Sequence, residues 1–323
     1  MKRILSGIQS SGQIHIGNYF GALKQHIEMQ NDFECYYFIA NLHALTTVKD
    51  PKLLQQNTLD VAIDYLALGL NPDKATLFVQ SEIPAHAELA WMLATLTPTG
   101  LLDRAHAWKD AVSKKKKDPT VGLYTYPILM AADILLYEPD LVPVGQDQKQ
   151  HIEITRDIAE KFNNTYTPTF KLPESYIKKD LAVIPGTDGQ KMSKSYGNTI
   201  TVFGSDTEVK KSIMGIVTDS KSVEDKKDPD TCNVFALYKL MADKNEIENL
   251  KDKYLSGGFG YGDAKKLLLE KFMNYFGDFR TKKVALCSNI DYVKEVLKVG
   301  NEKAANQANS VLHKAKINTG IHF

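Results

Sequence analysis

Hydrophobic and polar positions form alternating blocks along the first 200 residues, and each block predicts one element. Residues 3–9 (RILSGIQ), 35–45 (CYYFIANLHAL) and 75–81 (ATLFVQS) are short apolar runs typical of buried strands. Between them, apolar side chains recur at helical spacing in residues 18–30, 52–70 and 86–96. Strands that alternate with helices in this way predict a parallel α/β sheet.

The pattern changes twice further along the chain. Residues 127–137 and 151–163 are predicted helices with a strand at 140–144 between them, and residues 109–122 (KDAVSKKKKDPTVG) are predicted to be an exposed, mobile loop. The lysine run in that loop is typical of a solvated face, with contact to a polyanion as the alternative. After about Asp206 only helical periods follow. The predicted fold is therefore a Rossmann-like α/β domain over residues 1–200 and an all-helical domain over 201–323.

Composition narrows the class of protein without naming a function. Lys plus Arg number 40 against 39 for Asp plus Glu, so the net charge of +1 indicates no global attraction to nucleic acid. The three cysteines are far apart and form no C-x-x-C pair, which favours reduced thiols over a disulfide framework or a zinc ribbon. We find no signal peptide and no apolar run of membrane-spanning length, and we expect a soluble, cytoplasmic protein.

A glycine-rich segment follows the first predicted strand. Residues 7–23 (GIQSSGQIHIGNYFGAL) contain four glycines and precede a predicted helix. Loops in this position lie at the carboxyl edge of a parallel sheet, and the N-terminus of a helix attracts phosphate. The spacing matches neither G-x-G-x-x-G nor a Walker loop, and a merely tight structural turn is the alternative.

Two short motifs carry a resemblance to a known family. The segment HIGN at 15–18 and the segment KMSKS at 191–195 resemble the two signatures of the class I aminoacyl-tRNA synthetases. Asn18 replaces the second histidine of the usual first signature, a variant typical of the tryptophanyl-tRNA synthetases. Segments 79–93, 125–137 and 142–153 also resemble that branch, so the resemblance covers the whole catalytic part. The helical part resembles it in architecture more than in motif.

The resemblance implies an ATP site across both signatures. His15, Asn18, Lys191 and Lys194 would be the catalytic residues, with a capping role as the alternative for His15. The implied ATP-binding residues are Gln9, Ser10, Ser11, Gly17, Asn18, Gly145, Gln146, Asp147, Val183, Ile184, Lys191, Met192, Ser193, Lys194 and Ser195.

Asp133 is the most informative candidate for binding the amino acid. A carboxylate inside the apolar run ILMAADILLY must be paired or functional, because burying it alone costs several kcal/mol. The indole of tryptophan offers one N–H donor, and the family accepts it with this aspartate. By resemblance, the remaining tryptophan-binding residues are Leu5, Ala40, His43, Tyr126, Met130, Val142, Val144 and Gln148; for His43 a satisfied core histidine is the alternative.

The implied function is tryptophan–tRNA ligation. Tryptophan and MgATP would form tryptophanyl-adenylate, which then esterifies tRNA(Trp); the family implies a homodimer, and we expect no structural metal. Residues 207–298, which contain lysine pairs at 210–211 and 282–283 with Tyr and Phe interleaved, would contact the anticodon. A tyrosyl-tRNA synthetase, a small nucleotidylyltransferase and a catalytically silent binding paralogue are the alternatives, and the intact signatures argue against the last.

Overall fold

The computed structural model describes residues 1–10, 12–113, 118–177 and 184–322, apart from the side chains of Ala107 and Asp147. Outside the described residues lie the lysine run at 114–117 and two of the predicted ATP-binding residues, Ser11 and Val183. Within the described part, no helix is both long and apolar enough to cross a bilayer.

Five parallel strands form one sheet in the order β3-β2-β1-β4-β5. This is the strand order of a Rossmann-like doubly wound fold, so the predicted fold class is confirmed. The strands are β1 (Arg3–Ile8), β2 (Glu34–Ile39), β3 (Ala75–Val79), β4 (Leu141–Pro143) and β5 (Glu174–Tyr176).

Helices cover both faces of the sheet. In the α/β part they are α1 (Ile16–Asn18), α2 (Lys24–Met29), α3 (Asn41–Ala44), α4 (Pro51–Ala67), α5 (Ala85–Ala94), α6 (Thr99–Leu102), α7 (His106–Ser113), α8 (Val121–Leu135) and α9 (Lys149–Thr165). Local sequence explains where they begin: the Asp50 side chain accepts hydrogen bonds from the amides of Lys52 and Leu53, with Pro51 as the first residue of α4.

A π-helical turn at Tyr19–Leu23 joins α1 to α2. π-Helical turns are frequent at functional sites, and this one follows the first signature directly. The Tyr19 ring packs edge-on against Phe276 at 5.1 Å between ring centroids, and its hydroxyl lies 3.4 Å from that of Tyr275. The helix that begins at the first signature is therefore packed against the C-terminal half of the chain.

The C-terminal part forms helices joined by turns and loops, with no β-strand among its described residues, as predicted. Its helices are α10 (Asp206–Met214), α11 (Asn233–Lys239), α12 (Lys244–Ser256), α13 (Tyr261–Cys287) and α14 (Ile290–Thr319). Helix α13 packs against α4, whereas α14 returns to the sheet and packs against β3 and α5. A Cβ on Gly300 would lie 1.8 Å from the Leu77 carbonyl oxygen, and the Asn301 side chain accepts a hydrogen bond from the Val79 amide at 2.9 Å. The final helix thus covers the edge of the sheet at β3. The domain boundary at residue 200 remains a prediction.

Three local predictions differ from the structure. The apolar run at 35–45 is a strand only to Ile39, because the chain turns at Ala40 into helix α3. Residues 109–113, predicted as loop, belong to helix α7, whose apolar side chains lie on one face. Strand β5 was not predicted, because its three residues ESY are not apolar and only one face of the short strand is partly buried.

Candidate active site

A cavity of about 450 Å³ opens where strands β1 and β4 end. These neighbours lie where the strand order reverses, the position at which α/β sheets bind ligands. Its lining includes every side chain predicted to contact tryptophan: Leu5, Ala40, His43, Tyr126, Met130, Asp133, Val142, Val144 and Gln148. The structure therefore brings together residues from β1, α3, α8 and β4 that are dispersed over 144 positions of sequence, from 5 to 148.

Asp133 lies fully buried at the wall of this cavity. One carboxylate oxygen, Oδ2, lies 2.7 Å from His43 Nε2. The other, Oδ1, accepts a hydrogen bond from Gln80 Nε2 at 2.8 Å and lies 2.6 Å from His86 Nδ1. Burial alone would raise the pKa of Asp133, but the charges and hydrogen bonds of His43 and His86 outweigh it and lower the pKa to about 2. Asp133 is thus an ionised hydrogen-bond acceptor at neutral pH.

A chain of buried hydrogen bonds continues behind Asp133. His86 Nε2 lies 2.9 Å from the Tyr137 hydroxyl, while its Nδ1 faces the carboxylate. Because an ionised carboxylate only accepts, Nδ1 of His86 carries the proton in its contact with Asp133. Sequence reasoning missed Gln80, His86 and Tyr137. A signal existed for Tyr137, which follows Asp133 by one helical turn, whereas nothing in the sequence pointed to His86 or Gln80 as partners of Asp133.

Tyr126 lies at the mouth of the cavity on helix α8. Its hydroxyl contacts His151 Nε2, and burial raises the pKa of Tyr126 to about 12. The phenol therefore remains protonated at neutral pH and keeps both a donor and acceptor capacity. His151, on helix α9, was not predicted from sequence. Gln148 lies just before that helix, and its backbone amide donates to the Gly145 carbonyl at 2.9 Å.

His15 caps the helix that begins at the first signature. Its Nδ1 accepts a hydrogen bond from the Asn18 amide at 3.3 Å, and Asn18 Oδ1 accepts one from the His15 amide at 3.2 Å. Burial, with the nearby Lys194 ammonium, lowers the pKa of His15 to about 4. The ring is therefore neutral with its proton on Nε2, ready to donate. The structure thus contains the helix-capping contact that is the alternative role of His15. This contact uses Nδ1 and leaves the Nε2–H group available as a donor.

The two signatures lie side by side. The Ile16 amide donates to the Ile200 carbonyl and the Val202 amide to the Ile14 carbonyl, each at 3.0 Å. A Cβ on Gly17 would lie 2.9 Å from His15 Nδ1 and 3.3 Å from the Met192 Cβ, so the first signature packs directly against the second. Residues 14–16 and 191–202 are thus one local unit.

The second signature extends over the glycine-rich turn. Lys194 Nζ donates to the Gly12 carbonyl at 2.9 Å, and burial lowers the pKa of this lysine while Asp64 opposes the shift. Lys191 is exposed. Met192 is buried, its amide donating to the Ile184 carbonyl at 2.9 Å, and Ser193 Oγ accepts from the Ser195 amide at 3.3 Å. The motif therefore presents two cations on a backbone anchored by a buried methionine.

Two of the other predicted ATP-binding residues, Gln9 and Gly145, line the cavity, and Gln146, which follows Gly145, is exposed. Ser10 is fully buried, and its hydroxyl has no hydrogen-bond partner among the residues that the structure describes. The Asp147 side chain, Ser11 and Val183 lie outside the described part. An unsatisfied buried hydroxyl beside a glycine-rich turn is consistent with a ligand contact.

A comparison of the chain with known families identifies its class. Residues 1–277 match the family described as tRNA synthetases class I (W and Y). Since the match covers well over half of the 323 residues, the chain belongs to that family.

Relatives specify the branch of that family. The chain is 52% identical to a tryptophan–tRNA ligase of Fusobacterium nucleatum over 99% of this chain and 98% of that protein. It is 51% identical to the tryptophan–tRNA ligase of Rhodopirellula baltica over 99% of each. A crystal structure of Campylobacter jejuni tryptophanyl-tRNA synthetase complexed with ADP and tryptophan superposes with a TM-score of 0.94 at 46% identity, over 98% of this chain and 99% of that one. The chain is thus a member of the tryptophan–tRNA ligases.

Proposed function

We propose that this chain activates L-tryptophan with MgATP in the cavity between β1 and β4 and then transfers it to the 3′ end of tRNA(Trp). A carboxylate oxygen of tryptophan attacks the α-phosphorus, the bond from that phosphorus to the bridging oxygen breaks, and pyrophosphate leaves. The observation that carries the proposal is the contact between the HIGN and KMSKS segments beside a cavity walled by an ionised aspartate. Since the nucleophile belongs to the substrate, positioning and charge stabilisation supply the catalysis.

Tryptophan is selected by one acceptor, Asp133, beside apolar walls of the pocket. A carboxylate offers about four acceptor positions, and the contacts of Asp133 with His43, Gln80 and His86 occupy three, leaving one for the indole N–H. Leu5, Met130 and Val142 supply apolar walls. The Tyr126 hydroxyl and the Gln148 side-chain amide, which also line the cavity, hold the ammonium and carboxylate groups of the substrate.

ATP lies over the glycine-rich turn, with its magnesium ion arriving on the triphosphate. His15 Nε2–H donates to a phosphate oxygen, and Asn18 contributes to the same helix N-terminus, where the partial positive charge favours phosphate. Gly145, Gln146 and Asp147 bind the ribose, and the backbone of one residue, Ile184 or alternatively Val183, pairs with the adenine edge. Lys191 and Lys194 neutralise the charge that develops on the departing pyrophosphate.

Tyrosine is the competing substrate that the family name itself raises. Tryptophan-dependent ATP–pyrophosphate exchange, run in parallel with tyrosine and phenylalanine, decides between them. We expect exchange with tryptophan and a specificity constant for tyrosine lower by a factor of about 10⁴, the discrimination typical of sites built around one hydrogen bond. Exchange driven equally well by tyrosine would refute the assignment.

The helical part supplies the tRNA contact, within the predicted region 207–298. Lys210 and Lys211 are exposed on helix α10, which suits a phosphate contact. Lys283 does not suit one, because its ammonium lies 2.6 Å from the buried Asp64 carboxylate and 4.4 Å from the centroid of the Phe203 ring. Reversing the charges of Lys210 and Lys211 to Glu should raise the KM for tRNA without changing pyrophosphate exchange; the exposed Lys52→Glu is the control. An unchanged tRNA KM would remove α10 from the interface.

Two copies of the chain form the functional unit. The supporting observation is Trp91 on helix α5, whose side chain is 73% exposed, with Ala87 exposed one turn before it. A large exposed indole beside small residues is typical of an interface anchor. Sedimentation of the wild-type chain should give a dimer, and Trp91→Glu should shift it toward monomer. A monomeric wild-type chain would overturn this proposal.

A further inference from the structure

Asn198 lies directly after the KMSKS loop and is buried, with 2% of its surface exposed. Its side-chain oxygen accepts a hydrogen bond from the Ser193 amide at 2.8 Å. Its side-chain nitrogen donates to the Lys191 carbonyl at 3.1 Å and to Asp188 Oδ1 at 2.7 Å. One amide group therefore holds the backbone on both sides of Met192, with both of its N–H donors in use.

The backbone of Asn198 binds the turn that precedes the signature. Its carbonyl accepts from the Thr187 amide at 2.9 Å, and a Cβ on Gly186 would lie 2.3 Å from its side-chain nitrogen. Asp188 Oδ1, which accepts from Asn198, also accepts from the Gln190 amide at 3.0 Å. The turn at 186–190 and the lysine-bearing segment are thus fastened to the same residue.

Asn198 also lies next to the contact between the signatures. Ile200, two residues on, accepts from the Ile16 amide, and Val202 donates to the Ile14 carbonyl. The segment that follows Asn198 is therefore hydrogen-bonded to the first signature. The side chain of Asn198 holds the second signature. Any change in its geometry shifts Lys191 and Lys194 relative to His15.

We propose that Asn198 is a positioning residue for adenylate formation, which sets the placement of the KMSKS lysines against the HIGN segment. This inference rests on the proposed function, since Asn198 would act through Lys191 and Lys194. Asparagine is required because the position needs two donors and one acceptor in a single plane. Alanine removes all of these groups. Aspartate keeps the acceptor but replaces the donors with a carboxylate that faces Asp188.

Asn163 provides a matched control for Asn198→Ala. Its side chain accepts from the amides of Thr169 and Phe170 and donates to the Phe170 carbonyl, so it also holds a loop through three hydrogen bonds, far along helix α9. Both alanine variants should lose comparable thermal stability. Only Asn198→Ala should slow single-turnover activation, by a factor on the order of 10² for a misplacement near 1 Å, with tryptophan affinity changed by less than about threefold. Equal activation rates in the two variants would overturn the proposal.

The Asp188 contact gives a rescue test. Asn198→Asp should be at least as slow as Asn198→Ala, because it sets two carboxylates in contact. Adding Asp188→Asn removes one of the charges and should recover part of the activation rate without a matching change in tryptophan affinity. A double variant no faster than Asn198→Asp would contradict the positioning role of this contact.

A mutant cycle with the paired Lys191→Ala and Lys194→Ala substitutions separates this inference from the proposed function. If Asn198 acts by placing both lysines, adding Asn198→Ala to that pair should slow activation further by no more than about threefold, since groups acting as a unit are not additive. If the reductions in activation rate multiplied, Asn198 would act independently of the lysines, and this result would contradict the inference. A Lys194→Ala chain that activates at the wild-type rate would reject the proposed role of the signature, and the inference with it. If Lys194→Ala slowed activation and Asn198→Ala did not, the inference would be rejected and the proposed function would stand.

Discussion

Lys194 Nζ lies 2.9 Å from the carbonyl oxygen of Gly12, a residue 182 positions earlier in the chain. This hydrogen bond places an ammonium group on the rim of the glycine-rich turn, next to the neutral ring of His15, whose pKa it helps to lower. A cation and an imidazole N–H donor from two separate motifs therefore lie close to each other. The arrangement suits an anion that spans both, as a triphosphate does.

Asp133→Ala should impair selection of tryptophan more than it impairs folding. A site built around one acceptor rejects ligands without the matching donor by factors of about 10⁴, and that advantage disappears with the carboxylate. We expect a strongly raised KM for tryptophan and a narrower gap between the specificity constants for tryptophan and phenylalanine. The measurement is pyrophosphate exchange with both amino acids.

The control for Asp133→Ala is Asp140→Ala. Asp140 is also a paired carboxylate, bound to Lys171 Nζ at 2.5 Å and to the Arg3 amide at 2.7 Å, but it lies at the opposite end of β4 from the cavity. Its removal should leave amino-acid selection unchanged. If Asp133→Ala kept the wild-type ratio of specificity constants, the carboxylate would serve only the buried hydrogen-bond network.

His26 should make the folded state sensitive to mild acid. It is fully buried, lies 3.1 Å from the Tyr65 hydroxyl and stacks on Tyr37, and burial lowers its pKa from 6.5 to about 4. Because the folded pKa lies below the unfolded one, the unfolded chain binds the proton first, so stability is complete above pH 6.5 and is lost as the pH falls toward 4. The shift corresponds to roughly 3 kcal/mol of unfolding free energy.

Urea unfolding of wild type and His26→Gln at pH 7.5, 6 and 5 checks this expectation. Taking the difference between the two chains removes the contribution of other groups, such as Asp64, whose pKa burial raises to about 6 against the pull of Lys283. The variant should lose less stability than wild type on acidification. Parallel pH profiles for the two chains would show that His26 titrates alike in the folded and unfolded states.

Gly300→Ala should destabilise the packing of α14 on the sheet. The added Cβ would lie 1.8 Å from the Leu77 carbonyl oxygen, so helix and strand must separate, at a cost of about 1–3 kcal/mol. Gly277→Ala on α13 is the matched control: no atom lies within 4 Å of its added Cβ, so it should gain about 0.5–1 kcal/mol of helix stability. Thermal unfolding of both variants decides, and a stabilised Gly300→Ala would contradict the packing described.

Strands with a clear hydrophobic pattern could be predicted from the sequence, and a strand without such a pattern could not. Strands β1, β2 and β3 are apolar runs with buried residues throughout most of their length, so the pattern and the structure agree. Strand β5 pairs only with β4 and contains Glu174, Ser175 and Tyr176, whose identity does not distinguish a strand from a loop. Its existence depends on a neighbour distant in sequence.

The same distinction applies to the candidate site. Residues carried by a motif, such as Asp133 in its apolar helix, were identifiable because a charge in that context demands a reason. His86 and Gln80 contact Asp133 across 47 and 53 residues of sequence, and no local pattern records such pairing. Asn198 resembles any loop asparagine in the sequence, and only its contacts with Asp188, Lys191 and Ser193 distinguish it.

Single-turnover activation of Lys191→Ala and Lys194→Ala, alongside equilibrium titrations with tryptophan and ATP, tests the central claim most directly. Negative charge builds on the bridging oxygen as its bond to the α-phosphorus lengthens, so the two ammonium groups should stabilise the transition state more than bound ATP. We predict activation slower by a factor on the order of 10² or more in each variant. Tryptophan affinity should be nearly constant, the change in ATP affinity far smaller than the change in rate, and transfer from preformed adenylate largely spared. A collapse of both ground-state affinities, with activation at saturation unchanged, would contradict the account.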